Sequence, residues 1–122
     1  DDVFQCPQSR HSGYPDELLE LERDKGNLNL LGHSEDAGYV IFETTDRRLL
    51  MHMGHPEYNS GRLVEETYRD KAKNRTDVKD PVNFDFENPV NRWRSHRNEF
   101  FSQWIKYIYR ETSYNWTGSK FQ

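Results

Sequence analysis

His55 and Glu57, separated only by Pro56, are the pair in this sequence best suited to move a proton. Imidazole titrates near neutrality, so it can accept a proton at working pH. A carboxylate holding one ring nitrogen fixes the tautomer and leaves the other nitrogen as the base. Two other chemistries compete for the same stretch. His52, His55 and Glu57 together offer three metal ligands. Residues three apart on a strand face opposite ways, so these converge only if Gly54 bends the chain, and no metal is expected. Cys6 is the single thiol. A nucleophilic cysteine needs a depressed pKa, often at a helix N-terminus. Cys6 precedes Pro7 and a polar loop instead, and reads as a small apolar residue. Ser9 and Ser12 lack a Gly-x-Ser-x-Gly elbow. The chain therefore offers a base without a convincing nucleophile.

The elements around the pair follow from composition and spacing. Residues 49–53 are mostly apolar and predict a buried strand, ended by Gly54. Asn59 or Ser60 then caps a helix over residues 60–73, with Leu63, Val64, Thr67, Tyr68 and Ala72 at helical spacing and Arg69 at the stripe's margin. A strand end leading into a helix is where open α/β sheets place reactive groups. Residues 38–44 are rich in β-branched and aromatic side chains and predict a strand, hairpinned to 49–53 through the polar turn 45–48. Residues 27–32 predict another strand, and residues 1–6 a fourth, stopped by Pro7. Pro15 opens a short helix carrying Leu18, Leu19 and Leu21 that ends near Gly26. Residues 76–90 predict a long extended loop over the surface, with Phe84 and Phe86 alternating. The last helix carries Trp93, Arg97, Phe100, Phe101, Trp104, Ile105 and Ile108 at i, i+4, i+7 spacing, which predicts a core stripe. Together these elements predict an α/β layered fold.

Bulk properties narrow the class. The length, 122 residues, suits one domain. An apolar fraction of 33% and mean hydropathy of −1.14 are polar for a self-sufficient domain, which suggests part of a larger one. Aromatics at 14% argue against disorder. A net charge of −4 with interspersed signs argues against nucleic acid, despite the small basic cluster of Arg92, Arg94 and Arg97. No apolar run approaches the roughly 20 residues of a membrane span. One cysteine excludes an internal disulfide, and no signal-peptide pattern opens the sequence, so a cytoplasmic location is expected. The glycosylation-like triplets 74–76 and 115–117 then read as chance matches.

Met53-Gly54-His55-Pro56-Glu57-Tyr58 resembles the T-G-H-P-E-Y signature of the homoserine O-acyltransferases, the acetyl- and succinyltransferases of methionine biosynthesis. Further segments match in order: Asp1-Asp2-Val3-Phe4 with Pro7-Gln8-Ser9-Arg10-His11, then Tyr68-Arg69-Asp70, then Trp93-Arg94-Ser95-His96, then the helix from Phe101 to Tyr109. The resemblance runs from Asp1 to about Tyr114. It implies a class I glutamine-amidotransferase-like fold, a flavodoxin-like layered sheet, of which residues 1–122 would be the C-terminal portion. It also implies a ping-pong reaction: a cysteine takes the acyl group from acetyl-CoA or succinyl-CoA, and the hydroxyl of L-homoserine then attacks the acyl-cysteine. His55 would be the proton acceptor, Glu57 its orienting partner, and Ser9 and Arg69 substrate contacts. No bound cofactor is implied. Cys6 does not match the family's nucleophile, which lies in an N-terminal half not present in this sequence. The resemblance thus implies a partner, the cysteine-bearing half, and leaves room for a homodimer. The chain would be a fragment, a cleavage product or a split subunit, inactive by itself. L-Serine is an alternative acceptor within such a family. A non-catalytic binding or assembly module of the same fold, and a stand-alone hydrolase using Cys6, are the competing readings.

Overall fold

The computed structural model describes residues 2–10 and 12–113. Asp1, His11, the end of the resemblance at Tyr114 and the triplet 115–117 lie outside them. The element order is α1 (Asp16–Asp24), β1 (Leu28–Ser34), β2 (Gly38–Thr44), β3 (Leu50–His52), α2 (Ser60–Ala72) and α3 (Arg94–Glu111). The strands form one antiparallel sheet in the order β1-β2-β3. The α/β class is therefore as expected.

Local chemistry explains most boundaries. Pro15 occupies the cap of α1, and Asp16 and Glu17 place negative charge on its positive end. The helix stops at Gly26, whose φ of 79° suits a residue without Cβ. In the β2–β3 turn, Asp46 accepts from the Thr44 hydroxyl at 2.6 Å and from the Arg48 amide at 3.1 Å. Asn59 caps α2, its Oδ1 accepting from the Arg62 amide at 2.7 Å. The buried apolar side chains are Leu19, Val40, Ile41, Phe42, Leu63 and Trp93, and three of them are consecutive on β2. The middle strand is thus covered on both faces.

Four expectations need correction. Residues 2–6 do not form a strand. Their continuation turns onto the corner after β3, where the Pro7 carbonyl accepts from the His55 amide at 2.8 Å. β3 spans only Leu50–His52, and Leu49 is exposed. On α2 the inward face carries Glu66 and Asp70 beside Leu63 and Thr67, while Tyr68 and Ala72 face out. Arg62 and Arg69 on the same helix pair with Glu66, and Arg69 also with Asp70, so the carboxylates are buried with counter-charges. Of the predicted stripe only Trp93, just before α3, is buried; no residue of α3 itself is.

The long loop behaves as expected, laid over the surface and held by rings. Phe84 lies 6.2 Å from Trp93 and Phe86 lies 5.8 Å from Tyr68, centroid to centroid. Among the described residues, no helix is long and apolar enough to cross a membrane.

Candidate active site

The corner after β3 is built from three consecutive amides. Met53 donates to the Val40 carbonyl at 2.8 Å, which extends the β2–β3 pairing by one bond. Gly54 donates to Nδ1 of His52 at 3.2 Å. His55 donates to the Pro7 carbonyl at 2.8 Å. Gly54 is required by space: a Cβ there would lie 2.6 Å from Cys6 Sγ, 2.6 Å from Gln8 Nε2 and 3.0 Å from the Pro7 carbonyl oxygen. The N-terminal segment is therefore pressed against the glycine that precedes the histidine.

His55 Nδ1 sits 2.8 Å from Glu57 Oε1. An ionised Glu57 can only accept, so Nδ1 carries the proton and Nε2 is left with its lone pair. Nε2 has no hydrogen-bond partner among the described residues. The imidazole is 33% exposed, so that nitrogen can be reached. Tyr58 stacks on the ring at 4.4 Å with an interplanar angle of 12°. The Tyr58 carbonyl in turn accepts from Trp93 Nε1 at 2.7 Å, which ties the corner to the start of α3. Tyr58 and Trp93 stood in the sequence as members of matching segments, with no role at the site assigned to either. The tyrosine's place, three residues past the histidine across a turn, is the signal that could have found it.

Cys6 lies beside this corner without acting as its thiol. Burial pushes the Cys6 thiol up to about 12, with a further push from the Glu57 carboxylate, against a smaller lowering by the His55 backbone amide. A thiol so far from ionising is not a nucleophile at neutral pH. Both nitrogens of His52 are engaged: Nε2 lies 3.3 Å from His96 Nε2, and Nδ1 accepts from the Gly54 amide.

Ser9 lies two residues beyond the Pro7 carbonyl that holds His55. It lines a cavity of about 620 Å³ between the N-terminal segment, α2 and the loop after α2, together with Gln8, Thr67, Asp70, Lys79 and Trp93. His55 and Arg69 are not part of its wall. Arg69 is 48% exposed, and its guanidinium is engaged on its own helix: with Glu66 Oε1 at 2.8 Å and with Asp70 Oδ1 at 3.0 Å. The Asp70 carboxylate, and Glu66 after it, hold the guanidinium's pKa above its usual value. The structure therefore joins His55, Glu57 and the Ser9 segment in one corner. Arg69 is held on its own helix by Asp70 and by Glu66, a buried carboxylate that did not stand out in the sequence.

The model of the homoserine O-succinyltransferase family matches residues 1–114. Among curated relatives, a homoserine O-acetyltransferase of Lysinibacillus sphaericus is 39% identical over 94% of this chain and 38% of its own length. A homoserine O-succinyltransferase of Photorhabdus laumondii is 36% identical over 96% of the chain and 38% of its own length. A homoserine O-acetyltransferase of Bacillus subtilis is 33% identical over 95% and 39%. The chain thus spans about two fifths of the length of the relatives it matches.

Proposed function

The chain belongs to the homoserine O-succinyltransferase family, and from that premise we propose that it supplies the proton-accepting part of an acyltransferase. The observation that carries this reading is the His55–Glu57 contact of 2.8 Å with Nε2 left open. In the proposed cycle, Nε2 takes the proton of a cysteine in an N-terminal half. The thiolate attacks the thioester carbonyl of acetyl-CoA or succinyl-CoA, and coenzyme A leaves as its thiol, carrying that proton. Nε2 next takes the proton of the homoserine hydroxyl, whose oxygen attacks the acyl-cysteine. The C–S bond then breaks, the departing sulfur takes the proton back from Nε2, and the O-acyl ester leaves with the cysteine thiol regenerated. Glu57 holds the imidazole in the tautomer that each step needs and stabilises its charged form.

The acceptor amino acid brings a carboxylate and an ammonium. Arg69 offers a planar fork for the first, and Glu66 beside it offers a counter-charge for the second. Binding would exchange part of the Arg69 contact to Asp70 for the substrate carboxylate. Ser9 would face the substrate from the cavity wall. The joined chains would complete a class I glutamine-amidotransferase-like fold, with the uncovered side of α3 receiving part of the rest. Acyl-CoA and homoserine as substrates suit a cytoplasmic enzyme.

Reconstitution tests the reading. The chain is mixed with the cysteine-bearing half, and coenzyme A release is followed with homoserine or serine as acceptor. About one equivalent released by the joined chains without an acceptor, and continued release only when homoserine is added, is expected. Serine outpacing homoserine would change the acceptor, and full activity of a His55→Ala chain would remove the assigned base. The exposed α3 side chains favour one second reading, a non-catalytic assembly module. That reading predicts that the two chains associate and that no acyl transfer follows.

A further inference from the structure

We propose that His52 is a positioning residue for His55, acting through the Gly54 amide, and that His96 on α3 fixes the form of the His52 ring that this requires. The inference rests on the reading of His55 as the base.

The Gly54 N–H donates to His52 Nδ1, so Nδ1 must be unprotonated. In a neutral ring the proton then sits on Nε2, which lies 3.3 Å from His96 Nε2 and donates to it. His96 is left with its proton on Nδ1. Both rings are held from the sides. Phe4 stacks on His96 at 4.1 Å with an interplanar angle of 11°, and Phe100 meets His52 edge-on at 4.8 Å. The surroundings favour neutral rings as well. Burial, and then the neighbouring His96, push the His52 pKa down to about 4, and burial lowers that of His96.

The function of this contact follows from the direction of the three corner amides. The bonds of Met53 and His55 go to β2 and to the N-terminal segment. The Gly54 amide, between them, has His52 as its acceptor. A glycine has the widest choice of backbone conformations, so this is the link of the corner most in need of an external hold. Losing that acceptor frees the peptide that joins β3 to His55. The imidazole would still meet Glu57, but its Nε2 would no longer be aimed at one place. An ångström of misplacement at a reacting atom is costly in rate.

Two substitutions separate positioning from bulk. His52→Asn keeps an acceptor at the δ position, within reach of the Gly54 amide. His52→Gln moves the polar group to the ε position, where it meets His96 and not Gly54. In the reconstituted enzyme, His52→Asn is expected to keep kcat within about twofold. His52→Gln is expected to lose roughly fivefold to tenfold in kcat with the KM for the acceptor unchanged. Equal losses in the two variants, or a loss carried by KM, would overturn the proposal. If His55→Ala abolishes turnover while His52→Gln matches the unsubstituted enzyme, only this inference fails. If His55→Ala is fully active, the reading of the base fails first. A measurement on the unsubstituted chain needs no variant to fold: long-range ¹⁵N–¹H spectra should place the His52 proton on Nε2, and a proton on Nδ1 would overturn the proposal.

Discussion

The corner around His55 and the outer side of α3 both present aromatic rings, yet one is closed over by the chain's own residues and the other is exposed. At the corner, side chains close on one another within the same chain: Gly54 against Cys6 and Gln8, His55 between Glu57 and Tyr58, Tyr58 under Trp93. On α3, one side docks lightly, with Phe100 against His52 and the Tyr107 ring 4.3 Å under the Arg47 guanidinium. The other side presents Trp104, Ile105 and Ile108 at 40%, 62% and 43% exposure. Monomeric proteins rarely leave such a contiguous apolar stripe bare, and larger patches of this kind mark interaction sites. The difference teaches that this chain packs the His55 corner with its own residues and leaves the outer side of α3 exposed among the described residues.

The largest expected effect concerns the thiol inside the corner. With its pKa pushed up to about 12, Cys6 should react with a disulfide reagent at pH 8 roughly a thousandfold more slowly in the folded chain than in denaturant. Comparable rates would mean the corner is open. Next is Gly54→Ala, which forces a Cβ against a backbone carbonyl that cannot swing away. A loss of about 2 kcal/mol in urea unfolding is expected. An unchanged midpoint would show that the fit at Gly54 is slack. The two sides of α3 should then separate: Phe100→Ala costs about 1 kcal/mol in the chain alone, whereas Ile105→Ala stays within about 0.5 kcal/mol. In the reconstituted enzyme Ile105→Ala should weaken association of the two chains, and no change there would mean that this side has no partner.

The smallest effect is one of pH. The His52 pKa is lowered in the fold, so the unfolded chain binds a proton more readily than the folded one between its ordinary value and about 4. Stability from this group is therefore fully present above the unfolded pKa of 6.5 and is lost as pH falls through that window. The melting temperature should drop on acidification, and less so in His52→Asn. An equal drop in both would assign the acid sensitivity to carboxylates.

What the sequence revealed divides along the same line. Gly38–Thr44 as a strand, Asn59 as a cap and Gly26 as a helix stop are decided by neighbours within a few residues, and those features agree with the structure. The His55–Glu57 contact is equally local, since two residues across a turn can hardly avoid meeting. The contacts of Cys6 with Gly54 and of His52 with His96 span tens of residues and have no periodic signature. The inward turn of Glu66 and Asp70 was hidden for another reason. Apolar spacing marks only apolar faces, and here arginines one turn from Glu66 and next to Asp70 make buried carboxylates tolerable. The α3 stripe was read correctly as apolar and wrongly as core, because spacing shows which side a helix wants to bury and not whether its cover is present.

The proposal at the centre is that His55, oriented by Glu57, is the base of an acyl transfer whose thiol is a cysteine other than Cys6. The most direct measurement is single-turnover acylation of that thiol in the reconstituted enzyme, followed by intact mass after mixing with acyl-CoA. The account predicts that His55→Ala slows formation of the acyl adduct at least a hundredfold and that Glu57→Gln slows it by less. An adduct forming at the unsubstituted rate on His55→Ala, or appearing on Cys6 of this chain, would contradict it.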